Sequence, residues 1–188
     1  MESYSLQNIT PNEMKNIAGL GLVISHTKNR PAFPGSINFY RFNQPSLLIK
    51  YHNGSLGEIA TKYGVEHFTP IGANQIYYSC YNQEEECNQI RSISFDGTDS
   101  LIAGEFLEKG PFNRYVNPYY YTDTKKTCFS KIRDIAAFKG GCLVLEQNRG
   151  IVILLKEDGT TKLICMGPAV PRQPVNKLLV LPNKEEFY

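Results

Sequence analysis

This 188-residue chain contains no tryptophan, and no stretch approaches the roughly 20 apolar residues that a membrane-spanning helix needs. The opening residues, Met1 to Leu6, carry neither a basic start nor an apolar run, so no secretory leader is read there. A Gly-rich turn between a strand and a helix, the cradle for a dinucleotide, is missing as well. An excess of charge of either sign is lacking, with 20 Lys and Arg against 18 Asp and Glu. A net charge of +2 gives no footprint for a polyanionic partner and disfavours nucleic acid. The five cysteines (Cys80, Cys87, Cys128, Cys142, Cys165) form no Cys-x-x-Cys pairs, which removes the common zinc frameworks. An odd count without a leader points to reduced thiols and a cytoplasmic protein. Secretion is the alternative, in which Cys80 and Cys87 are the pair expected to bridge. Sequons at Asn8 and Asn53 are too short to decide the compartment.

What the chain does hold is β-forming residues and turn residues. There are 12 Tyr, 10 Phe, 15 Gly and 11 Pro, with 41% hydrophobic and 20% charged residues, the profile of an ordered globular chain. Three turn sequences recur between apolar runs: His52-Asn53-Gly54-Ser55, Phe95-Asp96-Gly97-Thr98 and Glu157-Asp158-Gly159-Thr160. Asn-Gly and Asp-Gly suit type I′ hairpin turns, because both central residues there need φ > 0. The flanking strands are Leu47 to Tyr51 with Leu56 to Ala60, Ile90 to Phe95 with Leu101 to Phe106, and Ile151 to Leu155 with Lys162 to Met166.

Further strands fill out the units. Leu20 to Ser25 and the alternating Ile37 to Phe42 precede the first hairpin, separated by a Pro-containing loop. Phe68 to Ile71 and Ile76 to Cys80 flank the Gly72-Ala73-Asn74 turn, with a polar loop over 82–88. Ile132 to Phe138 and Cys142 to Glu146 flank Gly140-Gly141. The reading is all-β: four-stranded antiparallel units over about 20–66, 67–106 and 132–170, an insertion over 107–131, and a further strand opening over 177–188. Residues 1–19 read as a leader with one short helix, because Thr10 caps, Pro11 fits N1, Glu13 sits in the first turn, and Met14, Ile17 and Ala18 share a side.

The run Asn74 to Ser79 followed by Ile90 to Thr98, and the run Ile132 to Ala136, Gly140 to Glu146 and Gly150 to Gly159, resemble blades of the TolB-type β-propeller repeat. The resemblance covers about 100 residues and implies a propeller-like fold with a tendency to bind things; a β-sandwich or barrel is the alternative. Three blades do not close a ring, since propellers use about 4–8. A homo-oligomer, or membership of a larger chain, follows as the expectation.

For a site, the densest aromatic cluster is Phe112, Arg114, Tyr115, Tyr119, Tyr120 and Tyr121, with Lys125 close behind, all in the insertion. Tyr rings offer rigid area with a polar tip, and Arg114 and Lys125 suit a carboxylate or phosphate. The plainer reading is an aromatic outer strand. Tyr121 and Lys125 have the Tyr-x-x-x-Lys spacing of short-chain dehydrogenases, but the nucleotide turn that chemistry needs is missing. His26, His52 and His67 are too scattered for a metal set, and Glu84-Glu85-Glu86 reads as a solvated hairpin tip. The function expected is therefore a non-enzymatic binding protein without cofactor or metal, taking a protein or small polar ligand through loops and the aromatic insertion. A hydrolase or metal-free phosphodiester-cleaving enzyme is the first alternative, and a fragment of a larger propeller the second.

Overall fold

A computed structural model of the chain describes residues 9–17, 21–28, 46–104, 124, 125, 127, 129, 131–146, 151–165 and 177–180. These residues form twelve strands: β1 (Ile9–Ile17), β2 (Gly21–Lys28), β3 (Ser46–Tyr51), β4 (Leu56–Ala60), β5 (His67–Ile71), β6 (Gln75–Asn82), β7 (Cys87–Ser94), β8 (Asp99–Ala103), β9 (Ile132–Phe138), β10 (Gly141–Glu146), β11 (Ile151–Lys156) and β12 (Thr161–Cys165). They build three four-stranded antiparallel sheets, each ordered as the chain runs: β1-β2-β3-β4, β5-β6-β7-β8 and β9-β10-β11-β12. The chain divides into two compact units, Met1–Glu66 with the first sheet and His67–Tyr188 with the other two.

No helix occurs among the described residues, and the helix expected near the N-terminus is a strand. Residues 13–17 alternate in burial, with Met14 exposed and Ile17 buried, so two side chains that a helix would place together stand on opposite faces. Pairing with β2 supplies the backbone partners that capping would have supplied. The register shifts between Pro11 and Glu13, a bulge that fits a proline with no N–H to give the ladder. The strand expected over Ile37 to Phe42 lies outside the described residues.

The three recurrent hairpins share one geometry, and it is not type I′. The amide of Gly54 donates to Tyr51 O, and that of Tyr51 to Ser55 O; Gly97 with Ser94, and Gly159 with Lys156, repeat the pattern. Only the glycines have positive φ, at 84°, 91° and 80°, whereas Asn53, Asp96 and Asp158 do not. Each loop is thus an ordinary turn closed by one left-handed glycine, the three-residue hairpin. The residue before the glycine contributes its side chain. Asn53 Oδ1 accepts from Ser55 N at 3.0 Å, Asp96 Oδ1 from Thr98 N at 2.9 Å, and Asp158 Oδ1 from Thr160 N at 2.9 Å.

In the second unit one core lies between the second and third sheets. Ile90, Ala103, Ile71 and Tyr77 from one meet Ile132, Ile135, Cys142, Val144, Ile151, Ile153 and Leu155 from the other. Strands β10 and β11 are also buried on their opposite face, where Leu143, Leu145, Val152 and Leu154 form a second cluster. The backbones of the two sheets approach most closely where β5 runs beside β9, and Ala137 N donates to Thr69 Oγ1 at 3.0 Å across that seam. Cys80 and Cys142 are buried thiols and Cys87 is half-buried. Cys80 pairs with Gln89 and Cys87 with Asn82, so the two cysteines do not face each other across the hairpin.

Two outcomes follow. Gly141→Ala places a Cβ 1.9 Å from Leu155 O, a backbone atom that cannot step aside, whereas Gly140→Ala meets nothing within 4 Å. Gly140→Ala, at φ 76°, should cost about 1–2 kcal/mol of unfolding free energy, and Gly141→Ala visibly more, by denaturant titration. The Asp96 and Asp158 carboxyls are held below their ordinary range, first by the Ser94 and Thr160 hydroxyls respectively and then by turn hydrogen bonds. A depressed folded pKa gives stability that is complete above the usual carboxylate range near pH 4 and is lost as pH falls through it. Asp96→Asn with Asp158→Asn keeps the side-chain acceptor, so melting temperatures below pH 4 should fall less steeply than in the parent.

Candidate functional site

Of the residues singled out in the insertion, Phe112, Arg114, Tyr115, Tyr119, Tyr120 and Tyr121 lie outside the described residues. Lys125 is described and exposed. It sits between two buried threonines, Thr124 and Thr127, whose backbones close a small turn (Thr127 N to Thr124 O, 3.1 Å). Thr124 N donates in turn to Gly159 O at 3.0 Å, which ties this end of the insertion to the last hairpin of the third sheet.

Both roots of the insertion meet on one residue of β7. On the outgoing side, Gly104 has φ 93° and approaches Asn88 so closely that a Cβ there would lie 2.4 Å from Asn88 O. On the returning side, Phe129 forms an antiparallel bridge with Asn88. The Phe129 ring is buried in the core between the two sheets. Glycine is required at 104 for two separate reasons, its left-handed backbone and the lack of room. A long connection whose ends are pinned together over a packed core is the usual setting of a functional surface loop.

Behind the outgoing root runs a buried polar ribbon along the other face of the second sheet. Tyr78 OH donates to Asp99 Oδ2. Arg91 Nε donates to Asp99 Oδ1 at 2.7 Å, and Arg91 Nη1 to Gln89 Oε1 at 3.2 Å. Gln89 Nε2 then reaches Gly104 O at 3.3 Å and Glu85 Oε2 at 2.9 Å. Alternation along β6 and β7 places Tyr78, Gln89 and Arg91 on one face, and the hairpin brings Asp99 beside them. Burial, then the hydrogen bond to Asp99, pushes the Tyr78 phenol far above its usual range. Burial opposes the charge on Arg91, yet the Asp99 hydrogen bond and charge outweigh it and hold the guanidinium above its ordinary value. Tyr78 therefore stays protonated and Arg91 charged at neutral pH.

The acidic tip is braced as well. Asn82 Oδ1 accepts from the Glu84 and Glu85 amides at 3.0 and 3.2 Å, and Asn82 Nδ2 donates to Glu85 Oε2 at 2.9 Å. His52 is exposed in a turn, and His67 opens β5 with its amide donating to Ser79 Oγ at 3.1 Å. The side chain of His26 lies outside the description. Among the described residues no helix is long and apolar enough to cross a membrane, which says nothing of strands. The ribbon escaped sequence reading because Tyr78, Arg91 and Asp99 carry no motif spacing. The one available signal was a charged residue at an inward position of an alternating strand.

No family model, curated protein or solved structure matches this chain.

Tyr78→Phe removes one donor to a carboxylate that keeps its Arg91 partner. Stability at neutral pH should drop by about 1–2 kcal/mol. A raised phenol pKa gives stability that is complete below the ordinary tyrosine value of about 10 and is lost as pH rises above it. Alkaline denaturation of Tyr78→Phe should therefore be shallower above pH 10 than that of the parent. Tyr77, also raised by burial and then by Cys142 and Glu157, sustains a remainder of the slope.

Proposed function

We propose that this chain is a non-enzymatic binding protein: a propeller-like array of four-stranded sheets that presents its aromatic insertion to a protein or a small polar ligand. The observation that carries the reading is the convergence of both insertion roots, Gly104 and Phe129, on Asn88. A rigid mount of that kind lets the residues between the roots serve recognition without disturbing the core. The Tyr cluster supplies contact area at low entropic cost, and Arg114 with Lys125 supplies charge for a carboxylate or phosphate.

The propeller-like part of the proposal draws support from the sheets themselves. Every sheet uses four consecutive strands, and the second and third approach at their first strands. Blades that fan out from an axis have this arrangement, whereas a sandwich interleaves strands between its layers. Assembly of several copies into a closed set fits the same picture. The non-enzymatic part draws support from the ribbon, where Tyr78 and Arg91 both hydrogen-bond to Asp99 and Arg91 also reaches Gln89.

The test uses the full chain with Tyr119→Ala and Tyr120→Ala together. A thermal-shift panel of small phosphates and carboxylates should give the parent a stabilising ligand that the double variant loses. The unliganded melting temperature should move by less than about 2 °C, within what exposed substitutions cause. A large fall in that temperature would place the tyrosines in a core and overturn the reading. Light-scattering mass above one chain is the expected result for the assembly.

A further inference from the structure

The seam between the second and third sheets has a counterpart on the far side of the third. In the first, a side chain of β5, Thr69, accepts the backbone amide of Ala137 on the next unit's first strand. In the second, a side chain of β9, Asp134, accepts the backbone amide of Leu178 at 2.8 Å. Thr69 and Asp134 are each the third residue of their strand. Both are buried. The segment that follows also behaves like a strand: Lys177 and Leu179 are exposed, while Leu178 and Val180 are half-buried and pack on Leu143, Leu145, Val152 and Leu154. Lys177 Nζ lies 3.6 Å from Asp134 Oδ1, so the carboxylate meets an amide and an ammonium from adjacent residues.

We propose that the outer face of the third sheet is a strand-docking site, that Lys177–Val180 occupies it as the opening strand of a fourth unit, and that Asp134 is its positioning residue. The site's chemistry defines what it takes. Its floor is apolar and reads alternate side chains, and its rim is an anion that requires a backbone N–H with a cation one residue earlier. The Leu178 side chain packs on the apolar cluster of the third sheet, and the Asp134 carboxylate that takes its amide also lies within 4.8 Å of a His67 ring nitrogen. A carboxylate at 3% exposure is costly to bury without such partners. Thr69 serves the same purpose without charge because β9 reaches β5 as part of a full sheet, whereas the described part of 177–180 shows a single bridge residue, Val180. This inference rests on the propeller-like reading of the sheets but not on ligand recognition by the tyrosines.

Hydrogen exchange on the full-length protein tests it, because it reports on residue 178 directly. In the parent, the Leu178 amide should be protected while that of Leu179 exchanges faster. Asp134→Ala should speed exchange at Leu178 by roughly 10–100-fold, the expected effect of removing a hydrogen bond to a charged group. Asp134→Asn, which keeps an acceptor and drops the charge, should retain most of the protection. Lys177→Gln should change it by less than about threefold, as an exposed ion pair does. Leu178→Pro removes the donor while leaving Asp134 intact, and should raise binding of a hydrophobic dye to the uncovered face. It also provides the check if Asp134→Ala fails to fold. An unprotected Leu178 amide in the parent, or equal exchange in parent and Asp134→Ala, overturns the proposal. So does an unchanged dye response in Leu178→Pro. None of these results would bear on the Tyr119 and Tyr120 test, so the two readings fail separately.

Discussion

A sheet whose central strands bury side chains on both faces has to be covered twice, and this requirement organises the second unit. Strand β10 is buried along its whole length and β11 along all but its last residue. Side chains on one face meet the second sheet, and those on the other meet Leu178 and Val180. Each buried Leu, Ile or Val is worth about 1.5–3 kcal/mol against exposure. Leaving the Leu143, Leu145, Val152 and Leu154 face open would forfeit several times that amount, comparable with the stability of a whole domain. A four-stranded sheet of this composition is therefore not a self-sufficient structure. It is a layer, and its sequence calls for layers on either side.

The same requirement explains where the chain can tolerate a long insertion. The cost of closing a long connection depends on how far apart its ends are held. Here Asn88 brings the two ends together, with Gly104 pressed against its carbonyl and Phe129 bridged to its backbone. The buried ribbon from Tyr78 to Gln89 ends on Gly104 O, so the outgoing root is fixed by side chains as well as by packing. Both roots are thus held at one point of the second sheet.

Strand positions and hairpins were largely legible in the sequence because alternation and Gly-centred turns are local signals. β3 to β12 follow the expected runs to within a few residues. The turn class was not legible. Asn-Gly and Asp-Gly serve both the two-residue type I′ loop and the three-residue loop, and the choice depends on register, which is a property of paired strands. The N-terminal segment misled for a related reason. Thr10, Pro11 and Glu13 are good helix-start residues, yet pairing with β2 outweighed a local preference of a few tenths of a kcal/mol per residue. Lys125 is the single member of the aromatic cluster among the described residues, and its neighbours, not its own chemistry, revealed how the insertion is mounted. Gly104, Asn88 and Asp134 gave no sequence signal. Their importance lies in backbone approach and in one amide bond, neither of which a residue type announces.

Those backbone bonds also show what is repeated in this chain. Phe95 N donates to Asn74 O in the second sheet and Glu157 N to Gly140 O in the third, joining the last hairpin of each to its first. The donors are Phe and Glu, and the acceptors Asn and Gly. Likewise Thr69 and Asp134 perform the same task with different side chains. Gly141 and Gly21 open the second strand of two different sheets, each where a Cβ would strike a carbonyl of the third strand. A repeat written in amide positions leaves most side chains free to differ, so identity between units can decay while the layer geometry persists. At both described seams a side chain on the first strand accepts a backbone amide. A carboxylate there, rather than a hydroxyl, is the choice expected where the incoming strand brings a cation and few ladder bonds of its own.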